Sequence, residues 1–162
     1  MRMINLEART GTIRYWTGLS DDRIRKLYAS YFKFGGQPVR RRRGRSPTQI
    51  GPLVRNTGRA LESGVLANLL LANGLIDWER PGYPPLKNNV DLGHRFCECF
   101  ETYCLLVPRP LLSFEWSWNL LVSMRRGEEL GVVRCADCAI CYITDLLSLP
   151  KSACPGCAII AQ

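Results

Sequence analysis

Apolar positions fall at helical spacing in five successive stretches and change to a strand-like pattern only towards the C-terminal end. Ile4, Leu6, Ile13 and Trp16 predict a short helix over residues 4–16, weakened in the middle by Gly11. A turn at Thr17-Gly18-Leu19-Ser20 leads into a second helix over residues 21–31. Ser20 is its N-cap, and Asp21 and Asp22 sit in the first turn, where the helix dipole favours acids. Ile24, Leu27, Tyr28 and Tyr31 recur at i, i+3, i+4 and i+7, so one face of this helix is apolar and Arg23, Arg25 and Lys26 point elsewhere. A third helix is expected over residues 57–71, with Leu61, Val65, Leu66, Leu69 and Leu70 facing the core and Gly74 closing it as the C′ residue. Pro81, Gly82, Pro84 and Pro85 mark a loop. A fourth helix over residues 91–107 then carries Phe96, Phe100, Tyr103, Cys104 and Val107 on one face. The fifth stretch, opened by Pro108 and Pro110, runs from residue 111 to about 130 with Gly131 as its cap. Phe114, Trp118 and Leu121 form one row and Leu112, Trp116 and Leu120 another, so it is apolar nearly all round and central in the fold or shared with a partner.

After that helix the pattern changes. Val132-Val133-Arg134 and Tyr142-Ile143-Thr144 are β-branched or aromatic runs of strand type, and cysteines frame them. The expected fold class is therefore mainly α: a helical part over residues 1–130 containing a helix-turn-helix-like unit, followed by a small ribbon over residues 131–162.

The ribbon carries the sharpest chemistry. Cys135-Ala-Asp-Cys138 and Cys154-Pro-Gly-Cys157 are two Cys-x-x-Cys pairs separated by 15 residues, the spacing of a tetrahedral four-thiolate zinc site. Pro155 and Gly156 suit a tight turn that aims two sulfurs at one ion. A closed site of this kind holds one structural Zn2+ and leaves no coordination position for catalysis. Such a clasp would pin the ribbon to the helix bearing Trp116 and Trp118. Cys141 forms a second, overlapping Cys-x-x-Cys pair with Cys138, so spacing alone leaves the first two ligands open. A disulfide pair and a redox Cys-x-x-Cys at Cys138 and Cys141 are the competing readings. Cys97, Cys99 and Cys104 read as small buried hydrophobes, because a one-residue spacing forms no zinc knuckle. His94, the only histidine, has no nucleophile to pair with. No nucleophile–base pair, carboxylate dyad or phosphate loop is visible, which points to a binding protein and away from an enzyme.

Charge sharpens the picture further. The net charge of +8 is unevenly spread: residues 1–60 carry 14 basic and 3 acidic side chains, the rest 8 and 11. Five arginines (Arg40, Arg41, Arg42, Arg43 and Arg45) crowd into six positions bounded by Gly and Pro signals. Such a segment cannot be core; it reads as a polyanion-binding arm, which gains by releasing counterions from nucleic acid, with a solvated loop that has no partner as the alternative. Arg23, Arg25, Lys26 and this arm are the expected DNA contacts, mainly to phosphates. No apolar run reaches the roughly 18 residues of a membrane span, and no signal peptide is visible at the start. Eight cysteines without an export signal then read as reduced thiols in a cytoplasmic protein.

Together these residues resemble the FlhC family, subunits of the bacterial flagellar transcription activator, over most of the chain from Arg14 to Cys157. Leu19-Ser20-Asp21-Asp22-Arg23-Ile24-Arg25-Lys26-Leu27-Tyr28 is similar to the family's Leu-Ser-x-x-Arg-Leu-x-x-Leu-Tyr helix. Residues 95–104 sit where the family has a tyrosine-rich helix. Trp118-Asn119-Leu120-Leu121 resembles its Trp-Thr-Leu-Val helix, and Cys154-Pro155-Gly156-Cys157 its second cysteine pair. The family's second knuckle cysteine is followed by two small residues, a polar one and an aromatic. Cys138-Ala139-Ile140-Cys141-Tyr142 fits that frame, so the resemblance implies Cys135, Cys138, Cys154 and Cys157 as ligands and leaves Cys141 out. It further implies an activator that binds double-stranded DNA with an FlhD-like helical partner and engages RNA polymerase, at flagellar or conjugative-element operons. A zinc-ribbon RNA-binding protein is the alternative that the same charge would serve.

Overall fold

The computed structural model describes residues 1–33, 42, 44–77, 80, 82–149 and 153–160. Three elements open the chain: α1 (Arg2–Asn5), α2 (Thr10–Thr17) and α3 (Asp21–Lys33). The helix expected over residues 4–16 is thus split in two. Glu7 takes a left-handed conformation (φ 59°), and the Arg9 N–H donates to the Glu115 carboxylate at 2.7 Å. A distant buried acid caps α2 and breaks the continuity that apolar spacing suggested. Gly18, left-handed at φ 68°, ends α2, and the Ser20 hydroxyl accepts weakly from Arg23 N–H at 3.4 Å to start α3. The inward face of α3 is the expected one: Ile24 and Tyr28 are buried, and the Tyr28 hydroxyl donates to Ala8 O at 2.8 Å.

The short α4 (Gly51–Val54) precedes α5 (Thr57–Ala72), whose N-terminus is capped by the Asn56 side chain accepting from Arg59 N–H. Its other end is a Schellman turn. Leu75 N–H reaches Leu70 O and Gly74 N–H reaches Leu71 O, both at 2.9 Å, with Gly74 at φ 66° as expected. The buried face of α5 is rotated from the expected one. Leu61 and Val65 are more than a third exposed, while Ala60, Ser63 and Ala67 lie inside with Leu66 and Leu70. Small side chains let neighbouring backbone approach, and the Ser63 hydroxyl donates to Leu53 O of α4 at 3.0 Å.

Helices α6 (Val90–Leu106) and α7 (Phe114–Arg126) supply the aromatic centre of the core. Phe96 stacks on Trp16 at 5.8 Å and meets Phe114 edge-on at 5.0 Å, and Trp118 packs on Trp16 at 5.2 Å. Such pairs add roughly 0.5–1.5 kcal/mol each beyond burial. Helix α7 stops at Gly127, left-handed at φ 67°, and not at Gly131 as expected. The reason is that Leu130 to Arg134 pair as a strand and Leu130 is drawn into the core.

Strands β1 (Leu130–Arg134) and β2 (Cys141–Asp145) form an antiparallel hairpin with Leu130 opposite Asp145 and Arg134 opposite Cys141. Side chains alternate across it. Ile143 joins the main core, whereas Tyr142 packs with Cys135 and Cys154 in a small cluster of its own. A final helix, α8 (Pro155–Ile160), follows Cys154. Residues Pro155 and Gly156 therefore begin a helix and do not make the expected tight turn; proline is well suited to the first helical position, where its missing N–H is no loss. The hairpin and α8 rest on α5, β2 also touches α4, and β1 meets α7. The expected seat against the Trp116/Trp118 helix is thus only a minor part of the contact. No helix among the described residues is long and apolar enough to cross a membrane.

Candidate metal centre

Two local structures bring the four framing cysteines together. After β1, the chain makes a knuckle in which Cys135 N–H donates to Ile140 O at 2.9 Å and Ala139 N–H to Cys135 O at 3.1 Å. Ala139 pays for this tight return with a left-handed φ of 59°. On the other side Cys154 stands just before α8 and Cys157 in its first turn, so one helical turn aims both sulfurs the same way. One backbone amide ties the halves to each other, Cys154 N–H donating to Cys135 Sγ at 3.2 Å, and within the second half Cys157 N–H donates to Cys154 Sγ at 3.4 Å.

The resulting sulfurs of Cys135, Cys138, Cys154 and Cys157 all lie within 4.8 Å of one another. Cys135 and Cys157 are 3.9 Å apart, and Cys138 and Cys154 3.7 Å. A disulfide would need about 2.05 Å. A tetrahedron with metal–sulfur bonds of about 2.3 Å has edges of about 3.8 Å, which these separations match. The four thiols can hold one metal ion, and tetrahedral thiolate sets select zinc or iron. All four positions would be filled by protein, so a bound ion would serve structure.

Electrostatics point the same way. Backbone N–H groups of Cys138 and Cys154 pull the Cys135 thiol down to about 6, so one sulfur is readily anionic. The Cys157 thiol is pushed up, foremost by its hydrogen bond to Cys138 and then that to Cys154. Four sulfurs at this spacing resist losing all their protons unless a cation takes the protons' place, as metal binding does.

The remaining cysteines stay apart from this set. Cys141, exposed at the start of β2, is outside the cluster, in keeping with the ligand frame that leaves it out. Cys97 and Cys99 are buried, and desolvation raises their thiols to about 12 and about 11, as small buried hydrophobes require. With Cys104 they form no metal cluster among the described residues.

The expected DNA-contacting residues divide into two groups. Arg23, Arg25 and Lys26 are exposed on α3, and Arg25 is paired with Asp22 one turn back. Arg42 and Arg45 are exposed, and Arg42 Nε reaches Glu7 Oε2 at 2.7 Å. Arg40, Arg41 and Arg43 lie outside the described residues.

Two buried charges escaped the sequence reading. Glu115 accepts from Arg9 N–H, from Thr12 Oγ1 at 3.0 Å and from the Ser46 hydroxyl, joining α2 and the end of the arginine arm to α7. Arg125 donates to Leu75 O at 2.7 Å, to Tyr83 O at 3.0 Å and to the carbonyls of Gly82 and Pro84. The only signal for either was an ionisable residue on a helix that is apolar nearly all round. No protein-family model matches this chain, and no curated protein matches it.

Proposed function

We propose that this protein is a DNA-binding subunit of a transcription activator of the FlhC type. A single structural Zn2+ closes the hairpin and α8 through Cys135, Cys138, Cys154 and Cys157. The subunit acts with an FlhD-like helical protein on double-stranded DNA, engages RNA polymerase, and switches on flagellar or conjugative-element operons. The observation that carries this reading is the cluster of four close thiols itself. It has the ligand frame that the FlhC resemblance implies, with Cys141 outside. A closed thiolate site argues for a scaffold, so recognition falls to the basic surfaces. Helix α3 follows a glycine-closed corner after α2, as the second helix of a helix-turn-helix does, and its outer face offers cations for phosphates.

The test is competition between duplex DNA and structured RNA at fixed salt. The wild-type chain is measured with its co-purified partner and compared with Arg23→Glu/Lys26→Glu. The reading predicts preference for duplex, a loss of about tenfold or more in the variant, and a salt slope shallower by about two. Tighter binding to RNA with no preferred duplex would overturn it in favour of an RNA-binding zinc-ribbon protein.

A further inference from the structure

A cleft of about 550 Å3 opens between α2, the middle and C-terminal end of α7, residues 46–48 and the loop over residues 82–87. Its charge is one-sided. Lys87 and Arg126 are exposed at its rim, the Arg125 guanidinium lies in its wall, and among the described residues no Asp or Glu lines it. Tyr15 and Trp118 contribute aromatic surface, their rings 4.9 Å apart, and Ser46 and Thr48 bring hydroxyls.

The walls are fixed by hydrogen bonds that nothing in the proposed DNA contact explains. Arg125 gathers the carbonyls of residues 82–84, which sets the loop. Asn88 N–H donates to Tyr15 O at 2.9 Å and holds the far end of that loop on α2. The opposite wall is pinned by Ser46 on Glu115 and by Asn119 Nδ2 donating to Gln49 O at 2.8 Å. Glu115 faces away into these bonds, so its charge is spent behind the wall. The neighbouring cleft over residues 74–95 makes the contrast. It sets Asp77 and Asp91 against Arg80 and Arg95, and Arg80 is already paired with Asp77 at 2.8 Å.

A preformed cleft of this volume with rim cations, hydroxyls and an aromatic wall suits a ligand that is planar at one end and anionic at the other. We propose that it binds a nucleotide unit, with phosphate at Lys87 and Arg126 and the base against Tyr15. Stacking on an aromatic face tolerates any base, and two separate cations match phosphate oxygens. The unit comes either from a free nucleotide or from a single-stranded segment of nucleic acid. The site goes beyond the duplex contact of α3 and does not need it.

Calorimetric titration tests the inference with adenosine monophosphate, adenosine, inorganic phosphate and a twelve-residue single-stranded oligonucleotide as probes. The full chain is compared with Lys87→Glu/Arg126→Glu and with the control pair Arg80→Glu/Arg95→Glu, which changes net charge by the same amount. Saturable binding is expected for the nucleotide or the oligonucleotide, at least tenfold tighter than for adenosine or phosphate. It should fall at least tenfold in the first pair and less than twofold in the control. Binding of the mononucleotide assigns the free ligand, and binding of the oligonucleotide alone assigns a nucleic-acid segment. If Arg126→Glu compromises folding, Lys87→Glu and Tyr15→Ala singly must each lower affinity at least threefold. No saturable binding, or equal loss in both pairs, overturns the site, while duplex binding lost only through Arg23 and Lys26 leaves the two readings separable.

Discussion

Replacing Glu115 with alanine removes the acceptor that holds α2, the end of the arginine arm and α7 together. The carboxylate is buried and accepts from Arg9 N–H, Thr12 Oγ1 and Ser46 Oγ. Hydrogen bonds to a charged group contribute about 1.5–3 kcal/mol each, so three contribute roughly 5–9 kcal/mol gross. Removing the carboxylate also removes its desolvation cost, which is several kcal/mol for a buried ion. The difference is a net loss of about 2–4 kcal/mol for Glu115→Ala. Glu115→Gln keeps an oxygen for Arg9 N–H, and the two hydroxyls can rotate to accept from its amide, so it should lose only about 1–2 kcal/mol. In a chain of this size 1 kcal/mol shifts Tm by about 2–4 °C, which puts the alanine variant roughly 5–15 °C lower. Urea denaturation of both variants, completed by a Glu115→Ala/Ser46→Ala cycle, is the assay. The cycle should show coupling of about 0.5–3 kcal/mol. A loss below about 1 kcal/mol for alanine, or no coupling to Ser46, would refute the role assigned to this carboxylate.

Arg125→Met keeps the aliphatic volume but strands the carbonyls of Leu75, Gly82, Tyr83 and Pro84, some of which water can reach. It should cost about 2–4 kcal/mol and speed proteolysis within residues 82–85, with Arg125→Lys only a partial rescue because an ammonium lacks the planar fork. Thiol chemistry gives a separate check, since the thiolate is the species that reacts. Burial raises Cys97 to about 12 and Cys99 to about 11, so at pH 8 both stay protonated and resist iodoacetamide until the chain unfolds. Exposed Cys141 should be labelled first, and the four clustered cysteines only after chelation, as read by peptide mass spectrometry. Labelling of Cys97 at the rate of Cys141 in the folded chain would contradict the packing of α6.

The features that could be read along the chain are those whose causes are local. Ile24 and Tyr28 face inward on α3 because helical spacing alone decides it. Gly74 closes α5 because only a left-handed residue completes that turn, and the hairpin follows from β-branched runs beside the first cysteine pair. A four-thiol site was visible because metal geometry constrains spacing, but spacing left Cys135, Cys138 and Cys141 as overlapping candidates for its first pair. What stayed hidden depends on partners far away in sequence. The first helix breaks because Glu115, more than a hundred positions later, captures Arg9 N–H. The face of α5 turns because Ser63 bonds to α4 and Ala60 and Ala67 are buried beside it, small residues that a search for large apolar positions passes over. Pro155-Gly156 carries a turn signal and a helix-start signal at once, and the helix wins because it points Cys154 and Cys157 the same way.

The central claim is that four particular thiolates clasp one zinc ion and that Cys141 does not take part. Metal analysis with zinc-edge X-ray absorption tests it directly on the purified chain and on Cys154→Ser and Cys141→Ser. The account predicts one zinc per chain with four sulfurs at about 2.3 Å, retained in Cys141→Ser and lost with solubility in Cys154→Ser. Unchanged zinc in Cys154→Ser, or loss of zinc in Cys141→Ser, would contradict it.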